Sequence, residues 1–179
     1  IEFIHAREQD CHVLLDQLAA GEIPLRVTHN DTKINNVLFD PETKDPLTVI
    51  DLDTVMPGLV AYDFGDAVRF SANTTAEDEK DIRKVSLDLE QFKSFAEGFL
   101  SCLKGDLTPN EVSTLALGSF CITIELAARF LDDYLTGDKY FKTCYEGHNL
   151  VRTKAQLALA KDMEKKLDDM QEIVYRSME

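Results

Sequence analysis

The stretch Val27–Asp40 reads VTHNDTKINNVLFD. A β-branched, apolar approach gives way to His29, Asn30, Asp31, Lys33, Asn35 and Asn36, and the chain turns apolar again at Val37. A plain surface turn is satisfied by Gly, Pro, Ser or a single Asn or Asp. This one gathers an imidazole, a carboxylate, an ammonium and several carboxamides. On a loop between strands, such groups suit proton transfer and ion binding better than mere chain reversal.

The flanking segments say how these groups could meet. Leu25–Thr28 reads as a short strand, and Val37–Phe39 and Leu47–Ile50 as two more. The last two are joined by DPETKDP (40–46), whose turn formers predict a β-hairpin. Symmetric pairing about that turn sets Leu38 against Val49, Val37 against Ile50 and Asn36 against Asp51. Opposed residues lie about 4.5–5.5 Å apart, so a carboxamide and a carboxylate oxygen would converge at the hairpin mouth. Two hard oxygen donors suit Mg²⁺, which takes one or two protein carboxylates and fills its shell with water and phosphate. The plainer alternative is that Asn36 and Asp51 only satisfy backbone groups there. Asp31, five residues before Asn36, is placed to reach the same cleft without sharing the metal, where it could orient or deprotonate an attacking hydroxyl.

Further along, Phe3, Ile4, Cys11, Leu14, Leu15 and Leu18 recur at helical spacing in a leading helix over 1–21 closed by Gly21. The segment 25–70 carries the polar loop, the hairpin and the start of a helix at Asp66. Thr74–Lys84 is charged and reads as a mobile connector. Helices are predicted over Leu89–Leu103, Asn110–Leu135 and Leu150 to the C-terminus, so that 88–179 forms a helical subdomain. Thr108-Pro109-Asn110-Glu111 is a helix start with Thr108 as cap, Gly137 ends that helix, and His148 is placed as a cap of the last one.

The chain has 179 residues, 44% of them hydrophobic, enough for one core. With 33 acidic against 19 basic residues its formal charge is −14, a surface that repels phosphate backbones and anionic lipid and so argues against nucleic-acid or membrane partners. Cys11, Cys102, Cys121 and Cys144 are scattered without a CxxC pair and read as buried free thiols. With no signal peptide and no apolar run of membrane-spanning length evident, a cytoplasmic protein is expected.

The loop HNDTKINN (29–36) resembles the catalytic loop of the protein-kinase-like and aminoglycoside phosphotransferase superfamily, with His, Asp two residues on and Asn seven residues on. VIDLD (49–53) resembles the metal-binding strand of its small-molecule kinases, and AYDFGDA (61–67) the segment that follows it. Asp63-Phe64-Gly65 spells the protein-kinase metal motif, but the separation from Asp31 and the hairpin reading both select Asp51. With FLDDYLTGDKYF and EGHNLVRTKAQ in addition, the chain looks most like the N-acetylhexosamine 1-kinase branch.

The resemblance implies a mostly helical α+β fold, the C-terminal lobe of the protein-kinase-like fold with a small β-hairpin at the active site. It implies ATP as phosphoryl donor, Mg²⁺, and a sugar hydroxyl as acceptor. Asp31 would be the base, Lys33 would balance charge on the transferred group, His29 would shape the loop, and Asn36 and Asp51 would hold the metal. Asp66 would brace the loop; Asp53, Tyr62, Arg129 and Asp133 are the candidates for the sugar. No glycine-rich loop and no lysine-bearing strand precede the catalytic loop, so the nucleotide-covering N-terminal lobe is expected outside this chain, and the lobe alone should turn over little or nothing. Choline, homoserine, methylthioribose or an aminoglycoside would keep the mechanism with another acceptor. A binding module without catalysis is the rival of another class. A sulfatase is excluded by the lack of a Cys/Ser-x-Pro-x-Arg signature.

Overall fold

The computed structural model describes residues 1–179. Its organising element is helix α5 (Pro109–Thr136), which starts on a full capping box: Thr108 Oγ1 accepts from Glu111 N, and the Glu111 carboxylate accepts from Thr108 N. Gly137, at φ 96°, ends it in the left-handed conformation. By length and composition α5 could cross a membrane, contrary to the expectation that no such run exists. Its apolar residues are instead spent on the core, where Leu115, Ala116, Phe120 and Ile124 are buried.

Around α5 pack α2 (Glu8–Ala19), α3 (Val60–Ser71), α6 (His148–Lys165) and α7 (Leu167–Ser177), with α4 (Leu89–Leu103) laid against α3 and α7. A short α1 (Glu2–His5) precedes α2, so the leading helix is broken at Ala6-Arg7, and the last helix is likewise broken at Lys166. Phe64 packs edge-on against Phe92 and Phe99, joining α3 to α4.

The start of α3 corrects the sequence reading. The helix begins at Val60 and not at Asp66, with Gly65 inside it. A β-carbon on Gly65 would lie 2.7 Å from Ser119 Cα, and one on Gly118 would lie 2.5 Å from Ala61 O. The two glycines mark a close crossing of α3 and α5, where a side chain would hold the backbones apart. Thr74–Lys84 is tied down as well: Asn73 bridges Leu87, and Thr74 N donates to Ser86 O.

The strands form two antiparallel pairs. β1 (Arg26–Thr28) lies beside β4 (Met56–Gly58), a pairing between distant segments that no local pattern announces. β2 (Val37–Phe39) and β3 (Pro46–Val49) form the expected hairpin, but one residue out of the expected register: Val37 opposes Val49 and Leu38 opposes Thr48, with an irregularity between Leu38 and Phe39. Cys121 alone of the four cysteines is buried; Cys11 is half-buried, and Cys102 and Cys144 are exposed, which corrects the reading of all four as core thiols.

Candidate active site

The polar loop is held from three sides. Asn30 sits at φ 62°, a left-handed conformation that Asn tolerates better than most residues. Its side-chain nitrogen donates to Thr54 O at 3.0 Å, and its Oδ1 accepts from Thr28 Oγ1 at 3.0 Å. Thr54 Oγ1 returns a bond to His29 O at 2.6 Å. The third support comes from α3: the Asp63 carboxylate accepts from His29 N and from Asn30 N, both at 2.7 Å, while Thr32 Oγ1 donates to Asp63 O at 2.6 Å. The bracing carboxylate is therefore Asp63, not Asp66. Because α3 starts at Val60, Asp63 occupies its first turn and faces the loop. Burial pushes the Asp63 carboxyl above its ordinary value and outweighs the two N–H donors that favour the anion.

His29 Nε2 donates to Ile50 O at 3.0 Å, which ties the loop to the strand end before Asp51; its Nδ1 is buried without a partner. Gly58 of β4 is required by the same packing, since a β-carbon there would meet Thr28 Oγ1 and Asn30 Oδ1.

Asp31 is the centre of the arrangement. Its carboxylate accepts from Lys33 Nζ at 2.7 Å and from Asn36 Nδ2 at 2.8 Å. Partial burial pushes its pKa up, but the bonds from Lys33 and Asn36 and the nearby Lys33 charge prevail and hold it below the usual value. The group is thus an anion ready to accept a proton or orient a hydroxyl, with an ammonium at its side.

The register shift changes the account of the hairpin mouth. Asn36 opposes Ile50, whose N–H donates to Asn36 O at 2.9 Å, so Asn36 and Asp51 are not the directly opposed pair expected from symmetric pairing. Asp51 follows at φ 65°, exposed and without a side-chain partner. The buried Asn36 commits its side-chain nitrogen to Asp31 and leaves its carboxamide oxygen unbonded. No three His, Cys, Asp or Glu side chains converge into a metal cage. One unbonded carboxamide oxygen and one unpartnered carboxylate fit Mg²⁺, which needs few protein ligands when water and phosphate supply the rest.

Asp31 and Lys33 open into a cleft of about 420 Å³ whose far wall is built by α5 and the loop after it. Asp66 lines this cleft and is bonded by Arg69 at 2.8 Å. Arg69 is buried and reaches on to Glu77 at 2.7 Å. Tyr62, Arg129, Tyr140 and Phe141 face the same space, as does Glu125. Burial and the surrounding acidic groups push the Tyr62 phenol up to about 12, so it stays a neutral hydrogen-bonding group. The Arg129 guanidinium lies 5.7 Å from the Tyr140 ring centroid and 5.5 Å from that of Phe141.

Two expected acceptor residues are elsewhere. Asp133 is buried and accepts from the backbone N–H groups of Lys139, Tyr140 and Phe141 and from Asn149 Nδ2. It shapes the loop that carries Tyr140 and Phe141 and does not line the cleft. Asp53 is exposed in the turn after β3 and does not line it either. His148 is the first residue of α6 rather than its cap; it accepts from Cys144 N and bonds Asp78. Asp63, Arg69, Glu125, Tyr140 and Phe141 were not singled out from the sequence as site residues. Asp63 carried a signal as part of the AYDFGDA segment, and Tyr140 and Phe141 as the end of FLDDYLTGDKYF, but none was given a role at the cleft.

Residues 4–93, which span α2, the loop, both strand pairs and α3, match the model of the phosphotransferase enzyme family, APH.

Proposed function

Because the chain belongs to the phosphotransferase enzyme family, we propose that it forms the catalytic lobe of an ATP- and Mg²⁺-dependent kinase for a small sugar. The acceptor is the anomeric hydroxyl of an N-acetylhexosamine, and a nucleotide-covering lobe completes the site. The observation that carries this reading is the Asp31–Lys33–Asn36 constellation at the mouth of the cleft.

Phosphoryl transfer asks for positioning and charge balance more than for covalent help. Asp31, held as an anion, would align the acceptor hydroxyl and take its proton as the new P–O bond forms. Lys33 has three N–H donors and can share them between Asp31 and the transferred group. Asn36 and Asp51 would hold Mg²⁺, which neutralises phosphate charge when bound. Asp63 and His29 keep the loop in shape.

The charge of the cleft supports a neutral acceptor. Asp31, Asp66 and Glu125 are matched there by Lys33, Arg69 and Arg129, so the lining has no formal excess despite the acidic surface of the whole protein. A polycationic aminoglycoside would gain little from such a lining, whereas a polyol finds donors, acceptors and the faces of Tyr140 and Phe141. The test is ADP release by the polypeptide carrying both lobes, with Mg·ATP and N-acetylglucosamine, N-acetylgalactosamine, choline, homoserine or kanamycin. Turnover confined to the acetamido sugars is expected. Turnover on a cationic acceptor alone would replace the sugar reading, and turnover on none would favour a binding role.

A further inference from the structure

Beside the acceptor cleft lies a second cavity of about 420 Å³, between α1–α2 and α5, lined by Ile4, Leu15, Ile124 and both thiols Cys11 and Cys121. Tyr62 and Glu125 belong to the walls of both cavities. Both cysteines open into this one space, and Cys121 Sγ lies 3.6 Å from Asp10 O, next to Cys11 in the chain. Cys11 is half-buried and reachable from the cavity; Cys121 is buried.

We propose that Cys11 and Cys121 are a peroxide-sensitive dithiol that closes to an intramolecular disulfide, stapling α2 to α5 behind the acceptor wall. The proposal does not depend on the kinase reading. It rests on the pairing of two thiols from segments 110 positions apart at one apolar cavity, the other two cysteines being solitary and exposed. The two thiols are also unequal: the bond from Cys121 draws the Cys11 thiol below its ordinary value, while the same contact and burial push Cys121 up. Cys11, half-buried and open to the cavity, is the thiol that peroxide reaches first and so the nucleophile.

The chemistry balances with hydrogen peroxide as oxidant. The Cys11 thiolate attacks one peroxide oxygen, the O–O bond breaks, and the departing hydroxide takes up a proton to leave as water, giving a sulfenic acid. The Cys121 sulfur then attacks the Cys11 sulfur. The S–S bond forms, the S–O bond breaks, and the hydroxide leaves with the Cys121 proton as a second water. Two thiols are oxidised and one peroxide is reduced.

The test uses the C102S/C144S variant, which removes the exposed thiols and leaves the pair. After brief exposure to hydrogen peroxide, denaturation and alkylation, the proposal expects both remaining thiols to be lost. It expects a monomeric product in which the Cys11 and Cys121 tryptic peptides are joined, and recovery of both thiols with dithiothreitol. In Cys11→Ser, Cys121 should stay alkylatable under the same treatment. In Cys121→Ala, Cys11 should be trapped as a sulfenic acid by dimedone. Retention of both thiols in C102S/C144S, or their loss to sulfonic acids or intermolecular dimers without the joined peptides, would overturn it.

Discussion

Asp63→Ala is the substitution that bears most directly on how the polar loop around Asp31 is held. In the structure the Asp63 carboxylate receives two backbone N–H bonds, each 2.7 Å, from His29 and the left-handed Asn30. A hydrogen bond to a charged group contributes about 1.5–3 kcal/mol net, so two give a gross value of about 3–6 kcal/mol. The loop is partly exposed and water can take over one donor, while burial already weighs against the anion. The lower end, about 3 kcal/mol, is therefore the expected loss in urea unfolding. If the same energy is what keeps Asp31 in place, kcat/KM falls by about 100-fold, at about 1.4 kcal/mol per tenfold. The assay is urea denaturation together with ADP release, and Asp66→Ala is the control, since Asp66 bonds Arg69 and not the loop. A near-normal unfolding midpoint for Asp63→Ala, with the loss appearing in Asp66→Ala, would refute the assignment of the brace.

Three other outcomes follow from the same geometry. Gly118→Ala drives a β-carbon to 2.5 Å from Ala61 O, and should lower stability by about 1–3 kcal/mol by calorimetry, as overpacking does; an unchanged Tm would contradict the tight α3–α5 crossing. Glu111 is buried, and although burial pushes its carboxyl up, the Arg26 bonds and the Thr108 N–H hold it below its ordinary value. Its contribution is thus present above that ordinary value and lost as pH falls through the lowered one, and Glu111→Gln should flatten the acid side of the stability profile. Lys33→Met removes the ammonium that holds Asp31 down, so the acid limb of the kcat/KM profile should move to higher pH; an unmoved limb would mean that the pair does not set the basicity of Asp31.

Much of the architecture was readable because it is local. α4 runs over Leu89–Leu103 as its apolar spacing requires, and Thr108 and Gly137 bound α5 as their chemistry predicts. The reading failed where distant segments decide. A glycine inside α3 looks like a helix breaker until Ser119 and Gly118 are seen packed on it. The hairpin register slipped by one because the irregularity at Leu38–Phe39 leaves no mark in a symmetric turn. Sequence put Asp66 forward as the brace and weighed Asp63 only as a metal ligand; the actual start of α3 turns Asp63 to the loop and Asp66 to Arg69. The acceptor wall was the least legible part. Tyr140 and Phe141 reach the cleft only through the backbone bonds that the buried Asp133 makes to their loop, a contact read from sequence as substrate binding.

The central claim is that Asp31 is the group that activates the acceptor hydroxyl. The measurement that tests it most directly compares Asp31→Asn with the unaltered sequence, each joined to the proposed nucleotide-covering lobe, for Mg·ATP binding and for N-acetylglucosamine-dependent ADP release. The account predicts nucleotide affinity within about threefold and turnover lower by at least about 10²-fold, the range lost with a general base. Undiminished turnover in Asp31→Asn would contradict it.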